Sequence, residues 1–199
     1  MPLPRAPDDA VRAAWKRVEV HDNLDPDEPS DWGAENPGDL NAIVALSAAA
    51  VMVELADLAW PDRVEIGVLF GSDDEVAELN GRFRGKPKPT NVLAFPAEAT
   101  APGDAPPSYL GDLAFAHGVV LAEARERDQF FSTYLPVLAV HGILHLIGHD
   151  HEMGEADAEA MERLEARALA RLGLPDPYEG DRFDGDPYEG DRYEGAEPP

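Results

Sequence analysis

The chain has 199 residues, 44% of them apolar, no cysteine, and a formal charge of −24. That length and apolar fraction suit one domain with a real core and some extra length. The missing cysteines exclude disulfides, thiolate ligands and cysteine nucleophiles, which leaves His, Asp and Glu for any metal site. Net charge taken alone argues against a nucleic-acid partner. Its distribution says something different. The first 35 residues carry nine acids against four bases, and Asp176–Pro199 carries nine acids and two arginines. Leu79–Ala97 has no acid and holds Arg82, Arg84, Lys86 and Lys88, a quarter of all Lys and Arg, within seven residues.

Residues 1–9 lack an apolar stretch of the kind that opens a secretory signal. The longest apolar run, Ala42–Val53, is broken by Ser47 and is too short to cross a bilayer. A soluble cytoplasmic protein is the expectation. In chain order, Trp15–His21 alternates around Val18 and Val20 and predicts an edge strand. Asn23–Asp39, rich in Pro, Asp, Glu and Gly, predicts a loop. Asp39 is placed to cap a helix from about Leu40 to Leu58, with Pro61 beyond its end. Arg63–Phe70 alternates as a strand, and Ser72 caps a short helix with Asp73, Asp74 and Glu75 in its first turn. The basic island follows as a loop broken by Pro87 and Pro89, then a strand over Asn91–Phe95 stopped by Pro96. Ala97–Ser108 reads as a loop, Tyr109–Ala116 as a strand and Gly118–Asp128 as a helix. Thr133–Ile147 is an apolar helix that Gly148 stops. Glu155–Leu172 is amphipathic, with Met161, Leu164, Ala168 and Leu172 on one stripe.

Beyond it, Asp176-Pro-Tyr-Glu-Gly-Asp-Arg-Phe183 recurs ten residues later as Asp186-Pro-Tyr-Glu-Gly-Asp-Arg-Tyr193. Two copies are too few for a solenoid, and the segment has almost no aliphatic residues, so 176–199 is expected to be a disordered acidic tail. The interleaved elements predict an α/β (α+β) fold: a single domain over residues 1–175, core about 15–175, with a small mixed β-sheet packed by helices.

Four of six histidines fall between positions 141 and 151. His141 and His145, four apart on a helix, project from one face about 6 Å apart along the axis. Gly148 permits the left-handed turn that brings back His151 as a third ligand. Three neutral nitrogens with an open fourth position describe a catalytic rather than a structural zinc. Isolated histidines on apolar faces usually serve packing, and His21 and His117 are assigned so; three at this spacing with the glycine point to a metal. His149 lies off the pattern. Asp150 either orients an imidazole or forms a solvent-facing cap. Metzincin proteases place histidines at 0, +4 and +10 and glycine at +7, with a general-base Glu at +1. This chain matches the first four positions and has Gly142 at the last.

At these residues the sequence resembles the YbeY family of rRNA maturation endoribonucleases. The resemblance rests on His141-Gly-x-Leu-His-Leu-x-Gly148-x-Asp-His151 and on Arg84-Gly-Lys-x-Lys-Pro-Thr90-x-Val-Leu-x-Phe95-Pro96, with Tyr109-Leu-Gly-Asp112 between them. It spans roughly Val18 to Tyr178. His149 departs from the Tyr of many members, and the family does not explain the repeat tail. The resemblance implies one zinc on His141, His145 and His151, functionally critical Arg84 and His141, and endonucleolytic cutting of single-stranded rRNA. It further implies work in 16S 3′-end maturation and ribosome quality control beside the small subunit, with neither DNA nor membrane as partner.

The chemistry agrees in outline. Zinc on three neutral imidazoles keeps its full charge, which suits a phosphodiester. Arg84 is placed to clamp a nonbridging oxygen or the charge developing in the transition state. Lys86 and Lys88 would position the backbone. On charge alone that segment reads as a solvated basic turn; its coupling to the zinc motif in one signature reverses the preference. No residue is an obvious general base, so the attack falls to an RNA 2′-OH or to the metal's own water. A peptidase, and a ribosome-assembly protein with a structural zinc and little nuclease activity, are the alternatives.

Overall fold

The computed structural model describes residues 7–24, 31–32, 39–151 and 154–179. Among these are six helices and four strands. Asp8 accepts a hydrogen bond from the Val11 amide and starts α1 (Asp9–Trp15). The sequence reading missed this helix and began the strand at Trp15. Seven residues with only Val11 and Ala14 buried give no periodic signal. The strand itself, β1 (Val18–Asp22), lies at one edge of the sheet, as expected. Asp39 caps α2 (Leu40–Glu54), accepting from Ala42. This helix stops short of Leu58, because the amides of Leu58 and the indole of Trp60 both donate to the Leu55 carbonyl and close the chain into a turn.

The central strand β2 (Val64–Gly71) is buried along most of its length, the mark of a strand covered on both faces. Ser72 and Glu75 form a reciprocal capping box at the start of α3 (Asp73–Arg84). This helix runs further than the short one expected. It takes in Arg82 and Arg84, so the basic island begins as a helix end rather than a loop. Gly85, at φ +71°, ends it, and the two arginines sit in the last turn, where the helix dipole favours cations. Asn80, 2% exposed, donates to the Lys88 carbonyl and pins the loop that follows.

Strands β3 (Val92–Pro96) and β4 (Tyr109–Ala116) complete a mixed sheet in the order β1-β2-β4-β3. The pairs β1·β2 and β2·β4 are parallel, and β3 runs antiparallel at the other edge. Three further helices follow: α4 (His117–Glu126), α5 (Phe131–Leu146) and α6 (Glu155–Arg171). The larger core joins β2 and β4 to α2, α5 and α6; a smaller one, with Val76, Leu93, Ala114 and Ala116, lies under α3. Since alternate strand residues face opposite ways, Leu93 enters the small core while Val92 turns to α5. The α/β (α+β) expectation with a small mixed sheet is thus met. Tyr178, inside the first repeat copy, is 4% exposed and belongs to the main core. Residues 180–199 of the expected disordered tail lie outside the described residues.

Candidate metal centre

Helix α5 is apolar around most of its circumference because it is a core helix, packed against β3 and β4 and against α2 and α6. His141 is therefore 3% exposed, and His145, one turn on, is half-buried. Two backbone bonds end the helix. The Gly148 amide donates to the His145 carbonyl (3.1 Å) and the His149 amide to the Leu144 carbonyl (3.0 Å), a Schellman motif. Gly148 has φ +86°, the left-handed turn expected of it. A side chain there would also collide with the backbone of Thr100 and Ala101, which crosses over the turn. The reversal delivers His151 to the two helical histidines.

One nitrogen from each of His141, His145 and His151 lies within 4.8 Å of the others, so the three could hold a metal ion. The Nε2 atoms of His141 and His145 are 3.1 Å apart. Ligands at bond lengths of about 2.0–2.1 Å around a tetrahedral ion stand about 3.3 Å apart, so the spacing fits. His141 Nδ1 donates to Glu165 Oε1 at 2.8 Å, which fixes the tautomer and leaves the Nε2 lone pair facing its partners. Glu165 is 1% exposed, and its Oε2 accepts from the Tyr178 hydroxyl. Burial, reinforced by His141 and His151, pushes the His145 pKa down to about 3, so this imidazole is neutral and able to offer a lone pair.

Arg84 lies beside the three histidines. It lines a small pocket together with Val92, Ala94, His141, Gly142, His145 and His151. Its charge adds to the lowering of the His145 pKa, whereas that of Asp150 opposes it. Arg84 thus comes from the C-terminal end of α3, while the histidines come from α5 and its turn. Lys86 and Lys88 do not line this pocket; Lys86 is half-buried and Lys88 exposed. Gly142 has a packing reason to lack a side chain: a Cβ there would stand 2.7 Å from Leu113 Cδ2 and 3.4 Å from Val92 Cγ2.

The remaining histidines stand apart from the three nitrogens. His21 Nε2 is 3.3 Å from Glu65 Oε2 on the exposed β1 edge, and His117 packs against the rings of Trp32 and Phe131. His149 is half-buried, its pKa lowered by that burial. Sequence reasoning missed Glu165 and Tyr178. A signal for the first was present: Glu165 stands four residues after Met161 and three before Ala168, on the apolar stripe of α6, where an acid is out of place unless partnered. Nothing local marks Tyr178.

A family model described as endoribonuclease YbeY matches residues 36–173. An endoribonuclease YbeY of Rhodopseudomonas palustris is 48% identical over 157 residues, covering 77% of this chain and 88% of its own. One from Novosphingobium aromaticivorans is 44% identical (74% and 90%), and one from Sinorhizobium medicae 42% identical (76% and 90%). A solution structure from Thermotoga maritima aligns at TM-score 0.49 and 23% identity, covering 78% of this chain and 88% of that one. With a match that takes in both the histidine cluster and Arg84, and relatives this similar over most of their length, the chain belongs to the endoribonuclease YbeY family.

Proposed function

We propose that this protein is a zinc-dependent endoribonuclease that cuts single-stranded rRNA, acting in 16S 3′-end maturation and quality control of the small ribosomal subunit in the cytoplasm. The observation that carries the reading is the shared pocket: Arg84 and three converging imidazoles line one opening. A zinc ion on His141, His145 and His151 would supply a Lewis acid of undiminished double charge for a phosphoryl oxygen. Arg84 holds the nonbridging oxygens in place and meets the charge that grows on them in the transition state. Lys86 and Lys88, outside the pocket, engage neighbouring phosphates.

Single-strand preference has its own support. Phe83, beside Arg84, is 59% exposed. The Arg82 guanidinium lies 5.3 Å from its ring centroid, and Phe95 packs edge-on at 5.1 Å. An exposed aromatic among cations on an acid-free stretch suits an unstacked nucleobase.

The test is cleavage of single-stranded RNA containing the 16S 3′ region by the purified protein, Arg84→Ala, His141→Ala and a chelated sample. Cutting by the wild type alone supports the reading; equal cutting in all four sinks it. The depth of His141 and Glu165 favours a second reading, an assembly protein whose zinc is structural. Chelation that melts the fold, with Arg84→Ala still supporting 16S maturation, would establish that instead. The peptidase alternative lacks its base, since position 142 has no room for a side chain without displacing Leu113.

A further inference from the structure

The histidine nearest the core is propped from a segment outside the matched family region. That region ends at residue 173, and the chain then continues through Leu174, 5% exposed, into a turn that buries Tyr178. The turn is held locally: the Tyr178 amide donates to Asp176 Oδ1 at 2.9 Å and the Glu179 amide to the Asp176 carbonyl at 3.2 Å. From there the Tyr178 hydroxyl donates to Glu165 Oε2, while Glu165 Oε1 accepts from His141 Nδ1 at 2.8 Å. Three side chains thus form a line, from the post-α6 turn through α6 to α5. All three are nearly inaccessible, at 4%, 1% and 3% exposure.

We propose that Tyr178 and Glu165 are positioning residues for the metal centre, and that docking of the turn at 176–179 helps set metal affinity. The reasoning rests on the three-histidine site of the preceding reading. A carboxylate that accepts from a ligand's distal N–H fixes the ring orientation and makes the metal-facing nitrogen a better donor. That carboxylate must itself be held. With χ angles free, Glu165 could rotate its Oε1 away from His141; a phenol hydrogen-bonded to the other oxygen removes that freedom.

The experiment measures Zn²⁺ dissociation constants by chelator competition on the full chain, for wild type, Glu165→Gln, Tyr178→Phe and the double variant. The absorption spectrum of the Co²⁺-loaded proteins is recorded alongside. Glu165→Gln is expected to weaken Zn²⁺ binding by about 10- to 100-fold, and Tyr178→Phe by a smaller factor. Because Tyr178 acts through Glu165, its substitution should add nothing in the Glu165→Gln background. Both single variants should shift the Co²⁺ spectrum. Unchanged affinity in Tyr178→Phe, or losses that simply multiply in the double variant, would show that the tyrosine only packs and overturn the proposal. Wild type that takes up no metal would overturn the three-histidine reading and this one with it. RNA cleavage plays no part in the measurement, so the nuclease reading stands or falls separately.

Discussion

Replacing Gly148 by alanine tests whether the turn after α5 is held by conformation alone or also by what lies over it. Two costs are expected. The residue sits at φ +86°, where an L side chain costs about 1–2 kcal/mol. A Cβ would also fall 2.6 Å from the Thr100 carbonyl carbon and 3.0 Å from Ala101 Cα, both backbone atoms that cannot rotate away. Shifting that strand of chain adds about 1–3 kcal/mol, for a total of about 2–5 kcal/mol. Gly85 is the internal control. It lies at φ +71° with nothing within 4 Å of a would-be Cβ, so Gly85→Ala incurs only the conformational cost. Urea denaturation of the metal-free proteins should place the Gly148→Ala midpoint below that of Gly85→Ala, at equal slope. Because His151 follows the turn by three residues, Gly148→Ala should also weaken Zn²⁺ binding, and Gly85→Ala should not. Equal midpoints for the two variants would refute the close approach of residues 100–101; unchanged metal affinity would refute the turn's role in delivering His151.

Glu54 gives a pH prediction. Burial alone would raise its carboxyl pKa, but hydrogen bonds and charges from Arg171 and Arg167 outweigh it and hold the group below its ordinary 4.5. A depressed carboxyl contributes stability above the unfolded value, lost as pH falls through the folded one. Glu54→Gln should therefore cost about 1 kcal/mol at pH 7, with the two stability curves converging below pH 4.5; a constant gap down to acid pH would refute it. Phe83→Ala should weaken single-stranded RNA binding by about 1–3 kcal/mol and leave duplex binding unchanged, measured by fluorescence anisotropy on Zn²⁺-loaded protein. Equal losses on both substrates would remove the stacking role. Deleting residues 180–199, with seven acids and two arginines, should leave RNA binding equal or tighter. Weaker binding would mark the segment as a docking element for a basic ribosomal protein.

What could be read from sequence followed from how local each cause is. The alternation of Val64, Ile66 and Val68, and the i,i+4 pair of His141 and His145 with Gly148 after it, are written in consecutive residues. So is the Ser72–Glu75 capping box, which marks where α3 starts. Where α3 stops depends on Gly85 adopting the left-handed cap and on Asn80 reaching the Lys88 carbonyl. The prolines nearby suggested an earlier end and so misplaced Arg84 in a loop. The supports of the metal centre are more remote still. His141 and Glu165 are 24 positions apart, and the Thr100 backbone reaches Gly148 only once the sheet has formed. Tyr178 sits in a repeat whose composition resembles disorder, and only its burial against the core distinguishes it.

The sheet and the metal centre occupy different stretches of the chain, and this orders their appearance during synthesis. Among the described residues every strand lies between 18 and 116, whereas the three clustered histidines, Glu165 and Tyr178 lie between 141 and 178. At about 5–20 residues per second, the ribosome adds Tyr178 roughly 3–12 seconds after the last strand. A nascent chain therefore has its four described strands before it has the three histidines, and Tyr178 emerges after all of them. If the protein cuts ribosomal RNA, a chain that ends before His141 has every described strand and none of the three clustered histidines.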